Sequence, residues 1–177
     1  MRAANGNHDS CKAVVSTEGA NHDMESKKYK KGRSMADQKN SKVDEGLQGN
    51  EKIEEAILSL QQESTQEMLA HTLTVIRRRM REKAQLILAV EPPKGTEQIQ
   101  IQAIQTSDGQ NWWAAFTSFE EELKGGDSVK STFLTDIEQL FKTALQVDEI
   151  QGIILNPWNR TIMLDKNLIR VILGTTV

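Results

Sequence analysis

Side-chain chemistry needs partners at workable spacing, and this chain of 177 residues supplies few. Beyond position 50 the single histidine is His71, inside a segment of helical periodicity, and the single cysteine, Cys11, lies far upstream. A Ser–His or Cys–His pair would rest on that one imidazole with no thiol beside it. An ordinary place on a helix surface or in a core accounts for His71 as well. Phosphate loops and dinucleotide fingerprints need glycines at fixed intervals between a strand and a helix, so that backbone N–H groups can approach the anion. Gly125-Gly126 has neither that spacing nor that setting. Imidazole or thiolate metal sites lack ligands, and Glu120-Glu121-Glu122 reads as the acidic first turn of a helix rather than a calcium site. For acid–base work there remain loop carboxylates: Asp108, Asp127, Asp148, Glu149 and Asp165. With 25 Asp and Glu in the chain, some proximity among them is expected by chance. No catalytic, cofactor-binding or metal-ligating residue is assigned, and no cofactor is implied.

Apolar and aromatic residues stand out instead. Trp112 and Trp113 are neighbours on an expected strand, where successive side chains point to opposite faces, so both cannot enter one core. One of them faces another layer, a groove or solvent. Trp158 falls in a turn, Asn156-Pro157-Trp158-Asn159, where an indole either lies down as a lid on the core or is offered to a partner. Trp112, Trp113, Asn156, Pro157, Trp158 and Arg160 are therefore the candidate interaction residues.

The elements that must position them follow from periodicity. Asn50 can cap a helix carrying Ile53, Ala56, Ile57 and Leu60 on one face. Ser64-Thr65-Gln66-Glu67 reads as a capping box for a second helix with Leu69, Leu73, Ile76 and Met80, ending in Arg77-Arg78-Arg79-Met80-Arg81. Basic residues in a last turn complement the helix dipole. The apolar run from Gln85 to Val90 suggests a central strand, and the strict alternation from Ile99 to Gln105 a half-exposed one. Asp108-Gly109 favours a hairpin leading into a strand from Trp112 to Phe116. Ser118-Phe119-Glu120-Glu121 and Thr135-Asp136-Ile137-Glu138 read as two further capping boxes. The second opens a helix whose Ile137, Leu140, Phe141, Ala144 and Leu145 form a stripe facing a sheet. Strands from Gly152 to Leu155 and from Thr161 to Leu164 follow, then a helix capped by Asp165 and stopped by Gly174. The order ααβββα(β)αββα lacks a regular βαβ rhythm. An α+β fold, with helices packed on a mixed, mostly antiparallel sheet, fits it best.

Composition sets the boundary. All Trp, Phe and Ile lie after position 50, and the first fifty residues hold one aromatic, Tyr29, and one Leu, Leu47. So little apolar surface does not offset backbone entropy of roughly 1–2 kcal/mol per residue. Residues 1–49 are expected to be a disordered tail and 50–177 the domain. The domain carries thirteen Lys and Arg against eighteen Asp and Glu, a balance that argues against nucleic acid as its partner. The tail's Lys27-Lys28-Tyr29-Lys30-Lys31-Gly32-Arg33 run is the exception, and a solvated tail accounts for it. A lone cysteine forbids an intrachain disulfide, so cytoplasmic residence is the default. No stretch approaches the ~18 consecutive apolar residues of a membrane span, so no membrane partner is expected.

Trp113-Ala114-Ala115-Phe116-Thr117-Ser118-Phe119-Glu120-Glu121-Glu122-Leu123, followed by Gly152-Ile153-Ile154-Leu155-Asn156-Pro157, resembles the SseB N-terminal domain family. That is the bacterial group named for enhanced serine sensitivity. The likeness runs from about Asn50 to Gly174 and leaves the tail uncovered. It implies an α+β fold and no particular reaction. Trp158-Asn159-Arg160 replaces the small turn residue expected after Asn-Pro in that family. The expected function is a non-catalytic binding or regulatory module whose partner is another protein. The alternative is an enzyme using loop carboxylates on a small substrate.

Overall fold

In the computed structural model the described residues are 44–91, 100–126 and 131–175. Cys11, the basic run at 27–33, Ile99 and Asp127 lie outside them.

Gln85–Glu91 (β1) is the strand about which the rest is arranged. Five of its seven positions are buried, as its unbroken apolar run requires of a strand covered on both faces. Its edges are occupied by antiparallel neighbours, Asn111–Phe116 (β4) on one side and Ser131–Asp136 (β5) on the other. β4 pairs in parallel with Gly152–Leu155 (β6), which pairs antiparallel with Ile162–Asp165 (β7). The sheet thus runs β5-β1-β4-β6-β7. β1 and β4 touch only at Ile87↔Phe116 and Leu88↔Ala115 and then fork. Gln100–Ile101 (β2) takes the free edge of β1, and Ala103–Gln105 (β3) takes that of β4. Gln102 sits in the fork, where its N–H donates to Ala89 O at 2.9 Å and its carbonyl accepts from Ala114 N at 3.4 Å. The alternating run expected as one strand is therefore broken at Gln102. The wedge needs backbone groups aimed at two different strands, which no single straight strand offers. The Asp108-Gly109 hairpin forms as read, with Gly109 at φ +82.

Helices cover one face. Glu51–Gln62 (α1), Gln66–Arg81 (α2), Ile137–Gln146 (α4) and Lys166–Leu173 (α5) pack their apolar stripes onto Leu86, Leu88, Trp113, Ala115, Ile153, Leu155 and Leu164. On the other face Ile87, Ala89, Ala114 and Phe116 form a smaller cluster with Leu47, which the short 3₁₀ turn Glu45–Leu47 brings onto the sheet. The fold is α+β, with a mixed, mostly antiparallel sheet of seven strands among the described residues.

Local chemistry corrects three of the expected caps. Thr65, not Ser64, caps α2, accepting from Met68 N at 3.2 Å, while the Ser64 hydroxyl turns back to Leu60 O. Thr135 belongs to β5, and α4 starts after Asp136 with no side-chain cap. Asn50 does not cap α1, because its amide is engaged with two carbonyls elsewhere. By contrast Ser118 caps the short helix Phe119–Leu123 (α3), Asp165 caps α5 by accepting from Leu168 N at 2.7 Å, and Gly174 ends α5 at φ +76.

Candidate functional site

β4 and β6 form the one parallel pair described, so their C-terminal ends arrive side by side. Each chain leaves the sheet there through polar residues: Thr117-Ser118 after β4 and Asn156-Pro157 after β6. Asn156 continues the ladder by donating its N–H to Ala115 O at 2.9 Å. Its side chain, 0% exposed, then clasps Thr117. Oδ1 accepts from Thr117 N at 2.9 Å, and Nδ2 donates to Thr117 Oγ1 at 2.9 Å. The Thr117 hydroxyl in turn donates to Glu54 Oε1 at 2.7 Å, and Ser118 Oγ donates to the same oxygen at 2.9 Å. Glu54 comes from α1, on the helix face that carries Ile53 and Ile57 into the core, which is why an acid is buried there. On the other side of Thr117, Asn50 donates through Nδ2 to Thr117 O at 3.0 Å and to Gln85 O at 2.8 Å.

The turn after Asn156 supplies the countercharge. Asn156 and Arg160 both take positive φ, +50 and +42, folding the five residues tightly. Arg160 Nη1 pairs with Glu54 Oε2, and Arg160 Nε lies 3.5 Å from Glu121 Oε1. Glu121, from α3 and 1% exposed, also receives Lys124 Nζ at 2.8 Å and Asn159 Nδ2 at 2.9 and 3.2 Å. Two carboxylates are thus held by one guanidinium, one ammonium, two hydroxyls and an amide. Buried charges persist only when paired and hydrogen-bonded in this way.

Large apolar side chains stand outside the network. Phe119 and Leu123, one helical turn apart on α3, are 48% and 69% exposed, and Trp158 is 42% exposed. An open cleft of about 700 Å³ lies beside Phe119, its other walls including Asn50, Glu54, Thr117 and Ser118.

Of the residues singled out from sequence, Asn156, Pro157, Trp158 and Arg160 come together at this turn. Trp112 and Trp113 are both buried, on opposite faces of β4 as alternation requires. Trp113 joins the helix-side core, and the Trp112 indole N–H has no acceptor among the described residues. Sequence reading missed Glu54, Glu121 and Lys124. The available signal was an acid at position 54, directly beside the apolar stripe of α1. The described loop carboxylates are used locally or stand free. Asp165 caps α5, and hydrogen bonds from Thr106 Oγ1 and then Gln110 N hold the Asp108 carboxyl below its usual range. Asp148 and Glu149 are exposed. No group of three or more His, Cys, Asp or Glu suited to a metal ion occurs among the described residues. The arginines of α2 do not form one basic face. Arg77 donates to Ile172 O and Val171 O at the end of α5, Arg79 turns inward to Gln48 O and Glu82, and Arg78 and Arg81 are exposed. No described helix is long and apolar enough to cross a membrane.

Compared with known proteins, neither the curated proteins nor the solved structures give a significant match. The model of the SseB protein N-terminal domain matches residues 51–170, a span that takes in β4, β6 and the turn joining Glu54 to Glu121, and the chain belongs to that family.

Proposed function

We propose that this domain is a non-catalytic binding module that docks another protein on the surface formed by α3 and the Asn156–Arg160 turn. One observation carries the reading: Phe119, Leu123 and Trp158 are exposed on backbone that a buried polar network ties together. Aromatic anchors dominate the energetics of protein interfaces, and displaying them on a preorganised support lowers the ordering cost of association. The partner is a protein presenting apolar side chains, one of which enters the cleft beside Phe119. Trp112 and Trp113 serve this surface from below, as the packed strand on which it is mounted. A cytoplasmic setting accords with the lone cysteine.

An acid–base enzyme is the second reading, favoured by the convergence of Glu54 and Glu121 on Arg160. Their oxygens are all engaged by donors, however, which leaves neither acid placed to exchange a proton with a substrate.

The test is a pull-down from native lysate with the full chain, compared with Leu123→Asp and Trp158→Ala. Both positions are exposed, so the variants should keep the wild-type Tm to within about 2 °C. The expected result is a partner retained by wild type and by Lys142→Ala and lost from both surface variants. A partner held equally by all four proteins sinks the reading. So does turnover of a small substrate that Glu54→Gln abolishes.

A further inference from the structure

We infer that the cleft between α1 and α2 is an anion site that takes a phosphate monoester. It encloses about 310 Å³, and its walls include Lys52, Ser59, His71, Arg78 and Arg79, with Glu55 the one carboxylate among them. Most basic side chains elsewhere among the described residues are spoken for. Lys83 and Lys142 pair with Glu138, Lys124 with Glu121, Arg160 with Glu54, and Arg77 with the end of α5. Lys52 and Arg78 have no such partner among the described residues, and both are exposed at the cleft.

Arg79 adds a fixed element. It is buried, with Nη1 on Glu82 and Nη2 on Gln48 O, and its guanidinium lies against Gly49, where a Cβ would fall 2.8 Å from Cζ. Its Nε–H, also buried, has no acceptor among the described residues. A buried N–H without an acceptor favours a rearrangement that supplies one, and an anion in the cleft that Arg79 lines is a source of such an acceptor.

Charge and geometry select the ligand class. Unpaired Lys52 on α1 and unpaired Arg78 on α2, with Arg79 beside it, line the cleft from both helices and favour a dianion over a single carboxylate. A phosphate monoester carries about −1.5 to −2 at neutral pH, with three acceptor oxygens. Arginine presents its N–H donors in the planar array that such oxygens accept. An extended polyanion fits poorly, because Arg77 is engaged by carbonyls at the end of α5, Arg79 by Gln48 O and Glu82, and the domain as a whole is acidic.

The experiment is amide-shift NMR on the full chain, titrated at constant ionic strength with inorganic phosphate, glycerol 3-phosphate and a phosphoserine tetrapeptide. Saturable shifts confined to residues 52–59 and 71–79 are expected. Lys52→Ala/Arg78→Ala should weaken binding at least tenfold, whereas Arg81→Ala, on the same helix and outside the cleft, should change it less than twofold. All three positions are exposed, so loss of binding at unchanged Tm reads the site rather than the fold. A preference among the two esters tells whether the phosphate is carried by a small molecule or a peptide. The inference is overturned by equal affinity in the double variant, by shifts confined to the 27–33 run, or by binding of an oligonucleotide that phosphate does not displace.

Discussion

Asn156 is the residue on which the site turns, because one side chain satisfies both the N–H and the hydroxyl of Thr117 while its own backbone sits at φ +50. Asn tolerates that conformation better than other non-glycine residues. Asn156→Ala keeps the strained backbone and strands a buried N–H, so it should cost about 3 kcal/mol in urea unfolding. Asn156→Gly loses the same bonds without the strain and should cost about 1 kcal/mol less. Equal losses for the two would mean that the positive φ carries no cost. The Asn-Pro and Thr-Ser pairs were visible in the sequence as turn and cap chemistry. Their pairing with each other was not, because the residues are 39 positions apart and no local pattern encodes which carbonyl or hydroxyl an amide will meet. Glu54 shows the same limit. Position 54 was readable as an acid beside an apolar stripe, but its countercharge stands 106 positions away.

Among the elements, β6 and β7 approach more closely than any side chain at position 152 allows. A Cβ on Gly152 would run into the carbonyl oxygen of Leu164 and lie 2.9 Å from Asp165 Cα. Gly152→Ala should therefore push β7 off the sheet, disturb the Asp165 cap of α5 and cost about 2–3 kcal/mol, measured by thermal and urea unfolding. Helix α4 gives a pH signature. Hydrogen bonds from Lys142 Nζ at 2.8 Å and Lys83 Nζ at 3.2 Å, with their charges, hold the Glu138 carboxyl below its ordinary 4.5. A carboxyl lowered in the folded state adds stability above its unfolded pKa, and that increment is lost as pH falls through the folded value. Carbon-detected NMR should find Glu138 titrating below 4.5, and Lys142→Ala should move it upward. No movement would mean that the ion pair does not form in solution. Helix extents were legible from the 3.6-residue period of Ile53 through Leu60 and Ile137 through Leu145. Caps were less so. Thr135 has the Thr-x-x-Glu pattern of a capping box yet pairs with Leu86 in β5, since six ladder pairings with β1 outweigh one cap.

For the molecule as a whole, the sheet separates two apolar layers, and the adjacent indoles report on one each. Trp113 lies among the helices and Trp112 on the face toward Phe116. Because both layers share β1 and β4, unfolding should be one cooperative event. Single variants Trp112→Phe and Trp113→Phe should give coincident urea midpoints by fluorescence and circular dichroism. Midpoints separated beyond error would mean that the layers melt independently. The fold class was legible from the mixture of strands and helices without βαβ rhythm. The parallel pairing of β4 with β6 was not, because α3, β5 and α4 intervene and hairpin signals report only on neighbours in sequence. The short stretch at 48–50 also has a mechanical meaning. Gln48 is hooked by Arg79, and Asn50 grips the backbone at the start of β1 and just past the end of β4. Tension applied ahead of Asp44 is thus delivered to the seam between the two central strands, whereas tension applied behind Gly174 reaches α5 first. A tether, bead or fusion partner at the amino end would load the heart of the sheet, and one at the carboxyl end would spare it.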